Sequence, residues 1–279
     1  MNILITGADG FIGSNIIQLL SKNTNFNFFK GTRNNMDLYS TDSIEKYIDE
    51  NQIDSIIHCA IEGGSRLEQD TSEIFYRNIL MYENLMKFNH RYKVFINFGS
   101  GAEFDRRYDI SNVNECNMFN AIPTDFYGLS KNIISKLSVN YYTSLNLRIF
   151  GCFYHYELPT RFIKNNINNY INHKPIIIHQ DRYMDFFYME DLVNVIKYFL
   201  DNPKCLYKDI NMSYIKKYKL SDIANIINEL SYYKVDINVE SKNLGFNYTG
   251  NGELLNSLNL SLKGVELGIK ECYNYQIKI

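Results

Sequence analysis

The sequence predicts an α/β protein, a doubly wound parallel sheet followed by a small C-terminal α/β domain. Two observations carry that expectation. Through residue 150, short apolar runs alternate with stretches of helical periodicity at the spacing a parallel crossover needs. A glycine-rich turn closes the first run and opens the first helix, the place where such sheets begin.

The elements follow in order. Asn2–Thr6 is an apolar strand, and Phe11–Leu20 carries Ile12, Ile16, Leu19 and Leu20 at helical spacing. Residues 26–30 read as a second strand and 36–39 as a short third. Asp42 with Glu45 reads as a capping box opening a helix through Ile48. Residues 55–60 form a buried strand, Thr71 or Ser72 starts a helix to about 89, and 94–98 is the next strand. The stretch 101–125 lacks apolar periodicity and reads as a loop near the site. Thr124 is the expected N-cap of a helix to about 142, and 145–149 is again a strand. Beyond Phe150 the pattern loosens: 161–172, 192–200 and 221–230 read as helices and 176–179 as extended, and Asp191 reads as the cap of its helix rather than a reacting group. The expected division is 1–150 for the sheet domain, with about 180–215 returning to it, and 151–279 for the smaller one.

Composition narrows the function. The 279 residues are 45% hydrophobic, enough to bury a full core. A net charge of -2 and the lack of a basic run argue against nucleic acid as a partner. No apolar stretch approaches the ~20 residues that span a bilayer, so a cytoplasmic protein with no membrane partner is expected. Cys59, Cys116, Cys152, Cys205 and Cys272 are odd in number and scattered, which suits reduced thiols rather than a disulfide framework or a zinc site. His58, His155 and His179 lack ligand spacing, so they are read as structural and no metal is expected.

The strongest motif is Gly7-Ala8-Asp9-Gly10-Phe11-Ile12-Gly13. Between a strand and a helix, glycines allow a tight turn, close approach of a pyrophosphate and close helix–strand packing, while the helix N-terminus offers free N–H donors. An ordinary glycine-rich turn would share the pattern, but its position in an alternating chain points to a Rossmann domain. The end of the second strand then bears on which dinucleotide binds. An acid there would hold a ribose 2′-hydroxyl, but Lys30-Gly31-Thr32-Arg33 has none. Arg33, helped by Thr32, suits a 2′-phosphate, although a solvated surface Arg reads equally well. The missing acid favours NADP, with NAD left open.

A third signal lies in Tyr127-Gly128-Leu129-Ser130-Lys131, which puts Tyr127 and Lys131 at i and i+4 on one helix face. A nearby ammonium lowers a phenol's pKa and fits Tyr127 for proton transfer to a carbonyl. Such a spacing arises by chance in a chain with 23 Tyr. Ser100 strengthens it, because it ends a parallel strand at the carboxyl edge, where open sheets place ligands.

These residues together resemble the extended short-chain dehydrogenase/reductase family of the epimerase/dehydratase type, which modifies nucleotide sugars. The resemblance rests on the loop at 7–13, Asp37-Leu38, His58-Cys59-Ala60, Gly99-Ser100, Tyr127 with Lys131, Leu147-Arg148-Ile149-Phe150-Gly151 and the run from Asp185 to Leu192. It implies that Ser100, Tyr127 and Lys131 are catalytic. It also implies that Gly7, Gly10, Phe11, Ile12 and Gly13 hold the dinucleotide, and that Asp37 and Leu38 flank its adenine. Cys59, Ala60, Ile61 and Phe150, with Tyr127 and Lys131, would complete the cofactor contacts, and the helices at 72–89 and 124–142 would pair in a homodimer.

The segment from Ala60 through Gly64 to Asn78 resembles the branch that reduces GDP-4-keto-6-deoxy sugars. Two departures matter. That branch carries an epimerising Cys where Ala102 stands here, and the dehydratases carry an Asp-Glu pair where Gly101-Ala102 stand, with Glu103 one position late. Plain 4-keto reduction is what remains, with Gly101 and Ala102 lining the sugar. Met184 stands where the family often has Arg, so Arg182 or Arg161 is left to clamp a diphosphate, unless each is a surface charge. The resemblance thus implies an NADP-preferring reductase of a nucleotide-linked 4-keto-6-deoxy sugar in surface-glycan precursor synthesis. An NAD-retaining nucleotide-sugar 4-epimerase and a non-catalytic dinucleotide sensor are the alternatives.

Overall fold

The computed structural model describes residues 1–22, 26–64, 70–204 and 207–278. They form two compact units. One comprises Met1–Arg106, Glu115–Arg148 and Val193–Ile210, and the other Arg107–Asn114, Ile149–Leu192 and Asn211–Ile279.

The chain begins β1 (Asn2–Thr6), α1 (Phe11–Leu20), β2 (Asn27–Gly31), α2 (Thr41–Asn51), β3 (Ser55–His58), α3 (Ser72–Met86) and β4 (Phe95–Ser100). It continues through β5 (Ile110–Val113), α4 (Phe126–Ser138), β6 (Ser144–Ile149), β7 (Cys152–Phe153), α5 (Phe162–Ile171), β8 (Ile176–Ile178) and β9 (Phe187–Tyr188). The last part holds α6 (Met189–Asp201), β10 (Asp209–Met212), α7 (Leu220–Asn228), β11 (Ile237–Val239), β12 (Tyr248–Gly250), α8 (Glu253–Asn256) and α9 (Gly264–Gln276).

The six-stranded sheet runs β10-β6-β4-β3-β1-β2. The strands β1, β2, β3 and β4 pair in parallel, with Thr6 opposite His58 and His58 opposite Asn97. Those registers bring the carboxyl ends of β1, β3 and β4 to one edge. Ile3, Leu4, Ile5, Ile56, Ile57, Phe95 and Ile96 are fully buried, as strands covered on both faces require. Leu4, Ile56 and Phe95 pack with Ile44 and Ile48 of α2 and Leu85 of α3. Each such side chain contributes about 1.5–3 kcal/mol of burial free energy.

Several local expectations are corrected. Residues 36–39 are a turn rather than a strand, because the Asp37 carboxylate accepts the Tyr39 N–H at 2.9 Å and bends the chain on itself. The cap of α2 is Ser40, whose hydroxyl accepts from Ser43 N, in place of the Asp42–Glu45 box. Asp125, not Thr124, caps α4 through Gly128 N at 2.7 Å. The stretch 101–125 is not all loop: β5 pairs with β12, a partner far along the chain.

In the second unit α5, α7 and α9 pack through Ile163, Ile167, Ile223, Ile227, Val265 and Ile269, all buried. Strands β8 and β11 pair in parallel, as do β7 and β9. Asp191 was expected to cap its own helix, α6. Its carboxylate instead accepts Lys263 N at 2.8 Å and Gly264 N at 2.9 Å, capping α9 from outside, and also takes the Tyr214 hydroxyl. The four cysteines among the described residues are free thiols, and Cys205 lies outside them. No helix among the described residues is long and apolar enough to cross a membrane.

Replacing Asp191 by Ala leaves two backbone donors and a phenol without their acceptor. The expected loss is at least about 2 kcal/mol, read as a lower urea midpoint, with Asp191→Asn less affected. Equal midpoints for wild type and Asp191→Ala would contradict this role.

Candidate active site

The glycine turn stands at the end of β1. Gly7 has φ +61°, and a Cβ there would lie 2.7 Å from Ala60 N, so the loop runs directly against the end of β3. A Cβ at Gly13 would lie 2.5 Å from Gly7 O, so α1 can seat on the loop only without a side chain at that position. Gly10 caps α1 with no side-chain cap, and the first turn, which includes Phe11 and Ile12, has no acidic residue. The first N–H groups of α1 are thus left for an anion, and the residues present fit a dinucleotide pyrophosphate.

Thr6 fastens the neighbouring strand ends. Its hydroxyl accepts Ala60 N at 3.2 Å and lies 2.7 Å from His58 Nδ1. Burial pushes His58 down to about 3, so it is a neutral structural histidine. Cys59 N donates to Thr6 O at 3.2 Å, and burial raises the Cys59 thiol. Ile61 is partly exposed beyond it.

At the end of β2, Asn35 Oδ1 takes both Thr32 N and the Thr32 hydroxyl. Arg33 is 90% exposed and lies 3.4 Å from Glu62, which also meets Arg77 at 3.4 Å and the Tyr39 hydroxyl at 2.8 Å. Burial, followed by the bond to Glu62, pushes the Tyr39 phenol up to about 12. Asp37 and Leu38 form the turn beside them, and the Leu38 carbonyl is held by Asn84 of α3.

Ser100, Tyr127 and Lys131 come together in the first unit. Ser100 ends β4 at the carboxyl edge; its hydroxyl accepts Ala102 N at 3.2 Å and lies beside the Tyr127 phenol, whose pKa it lowers. Gly128 lets α4 approach, since a Cβ there would lie 2.8 Å from Ala102 O. Lys131, one turn along α4, is buried and donates to Phe98 O at 2.6 Å. Burial brings its pKa down to about 8. The phenol departs from expectation: burial, the largest influence, raises the Tyr127 pKa, and the Ser100 hydroxyl offsets this only in part. A phenol so placed keeps its proton at neutral pH.

Three other expected residues lie in the second unit. Phe150 is buried with its ring edge-on to Tyr248. Arg161 precedes α5 as its N-cap residue. Arg182 has its Nε buried with no hydrogen-bond partner among the described residues.

The family model described as NAD dependent epimerase/dehydratase family matches residues 3–213. The chain belongs to this family. It is accordingly an NAD(P)-dependent enzyme. No curated protein matches it in sequence. Among solved structures, it is similar to a GDP-mannoheptose C4 reductase from Campylobacter jejuni with NADP bound, at 17% identity and TM-score 0.83, covering 99% of this chain and 98% of that one. A GDP-D-glycero-L-gluco-heptose synthase from the same organism, solved in the presence of NADPH, gives 15% identity and TM-score 0.83, covering 100% and 98%. A Thermus thermophilus UDP-glucose 4-epimerase complex with NAD gives 17% and 0.77, covering 99% and 98%. Identities this low speak for the fold.

The structure also draws in residues to which the sequence assigned no individual role. Asn78 of α3 makes a reciprocal pair with the Glu62 backbone, at 2.9 Å each way. Gly64 has φ +73°, and a Cβ there would press on the Tyr127 ring at 2.7 Å. The signal was present in Gly63-Gly64, since paired glycines mark backbone conformations other residues avoid.

The Lys131 pKa yields a sign. Its folded value of about 8 lies below the ordinary 10.5, so burial of the ammonium weighs against the fold below pH 8. Between these values the folded chain sheds a proton that the unfolded chain retains, and stability rises with pH. The Tm of the dinucleotide-free wild type, minus that of Lys131→Met, is expected to climb from pH 8 towards 10. A flat difference would contradict the burial.

Proposed function

We propose that this enzyme is an NADP-preferring reductase of a nucleotide-linked 4-keto-6-deoxy sugar, serving surface-glycan precursor synthesis. The observation that carries the reading is what surrounds Ser100 and Tyr127. Positions 101 and 102 are Gly and Ala, and the Glu103 carboxylate is fully buried against Ser100 N and Arg148. None of these presents an acid or base to exchange a carbon-bound proton, so carbonyl reduction is the chemistry this arrangement suits.

The chemistry that a reduced nicotinamide dinucleotide supplies when bound is a hydride, here for the C4 carbonyl carbon. Tyr127, which burial keeps protonated, gives its proton to the carbonyl oxygen as that oxygen gains charge. Ser100 donates to the same oxygen and orients it. Lys131, anchored on Phe98 O, stands one helical turn from the phenol and fixes the cofactor-facing side of α4.

The first unit would hold the dinucleotide and the second the sugar nucleotide. Arg33 and Arg77, both already drawn to the Glu62 carboxylate, form a guanidinium pair suited to a 2′-phosphate. The unpartnered Nε of Arg182 favours it over Arg161 as the diphosphate clamp, because a buried donor without an acceptor is costly. NADP in the reductase neighbour is consistent with the preference.

The test follows NADPH and NADH absorbance with GDP-, UDP- and dTDP-linked 4-keto-6-deoxy sugars. Stoichiometric NADPH loss is expected with one of them, and Tyr127→Phe should lower kcat by about 10²–10⁴-fold. Interconversion of nucleotide sugars with no net cofactor loss would replace this reading with the 4-epimerase, and cofactor binding without any turnover would replace it with the sensor. Arg33→Ala should weaken NADPH binding by about tenfold, the equivalent of one charge-assisted contact, and leave NADH within about twofold. Equal effects on both would make Arg33 a surface charge.

A further inference from the structure

We propose that Glu103 is a positioning residue that holds Ser100 in its working rotamer and ties the Ser100 turn to the helix bearing Tyr127 and Lys131. The inference rests on the reading of Ser100 given above. Glu103 was noticeable in the sequence only as an acid one place too late for dehydration. Its carboxylate is fully buried. One oxygen accepts Ser100 N at 2.7 Å and the other takes Arg148 Nε at 2.7 Å. Ser100 reciprocates, its hydroxyl oxygen accepting Ala102 N at 3.2 Å.

The consequence for the hydroxyl is directional. Its oxygen accepts Ala102 N–H and its backbone N–H is engaged by Glu103, so the hydroxyl proton is left for Tyr127 in the free enzyme and for the carbonyl oxygen once substrate is bound. The neighbouring residue makes room for this. A Cβ at Gly99 would lie 2.5 Å from Glu103 Oε1, so the carboxylate occupies space that any other residue would fill. The other end of Glu103 matters as well: its carbonyl accepts Asn132 Nδ2 of α4 at 3.0 Å. One residue therefore fixes the serine through its side chain and the tyrosine helix through its backbone.

Asp209 separates this role from simple charge balance. It pairs with Arg148 Nη2 at 2.7 Å on the other side and is not hydrogen-bonded to Ser100. If Glu103 served only to neutralise the buried guanidinium, the two carboxylates would be equivalent. Glu103→Gln leaves Arg148 paired with Asp209, so the variant retains a balanced ion pair in the core.

The experiment compares Ser100→Ala, Glu103→Gln, their double variant and Asp209→Asn by steady-state kinetics, with a GDP-linked 4-keto-6-deoxy sugar as probe and NADPH binding read by fluorescence. Glu103→Gln is expected to lower kcat by about 10–100-fold, with both KM values and NADPH binding within about threefold. Because Glu103 acts through Ser100, the double variant should fall no more than about threefold below Ser100→Ala alone. Asp209→Asn should lower Tm yet keep kcat within about threefold. Additive losses in the double variant, wild-type kcat in Glu103→Gln, or an Asp209→Asn loss matching that of Glu103→Gln would each overturn the proposal. Should Glu103→Gln fail to fold, Glu103→Asp serves: it keeps the charge but is one methylene short, and wild-type kcat in it would overturn the proposal equally. An unimpaired Ser100→Ala would instead bring down the reading of the site itself, and the role of Glu103 with it.

Discussion

A fully buried guanidinium organises the first unit. Arg148 has no exposed surface, and a charge in that position costs several kcal/mol unless it is paired and hydrogen-bonded. Two carboxylates answer it, Glu103 from the turn after β4 and Asp209 at the start of β10, while the Phe104 ring lies 5.0 Å from the guanidinium carbon. Such a cluster is poor as a source of stability, since apolar residues would fill the space more cheaply. It is demanding in geometry, because a slip of β4, β6 or β10 by one residue would strand a charge. The cluster therefore holds the strands in a single alignment directly behind Ser100.

The carboxyl edge of the sheet is where that alignment matters. In a parallel sheet neighbouring strands finish together, and each end leaves backbone groups without ladder partners. Here Gly7, Ala60 and Ser100 follow or end β1, β3 and β4 at that edge. Thr6 ties the first two ends together through His58 and Ala60 N, and Glu103 performs the corresponding task at the third. Small residues set the distances: Gly7 and Gly128 let backbones meet where any Cβ would intrude.

Much of this was legible in the sequence because it is local. The glycine loop, the apolar strands and the Tyr127–Lys131 spacing each lie within a few residues, and the structure gathers them with Ser100. What escaped depends on partners distant in the chain. Arg33 read as either a phosphate ligand or a surface charge, and the carboxylate it meets belongs to Glu62, on another strand's exit. Asp191 looked like the cap of its own helix, whereas the N–H groups it accepts are those of Lys263 and Gly264. Glu103 looked like a displaced catalytic acid because nothing nearby announced Arg148. At 36–39, Asp37 overrode an apolar pattern by bonding its own backbone, a competition that periodicity does not register.

The connectivity has a consequence for how the molecule comes into being. Each unit is assembled from three separate stretches of chain, and β5 pairs with β12 across well over a hundred intervening residues. The second unit lacks its closing stretch until Asn211–Ile279 has been made, so its early strand must wait for a partner synthesised much later. Loops of that length close slowly, because the entropy of bringing their ends together is lost before any contact offsets it. The two units cannot be parted by a single cut, and folding one to completion requires chain that first passes through the other.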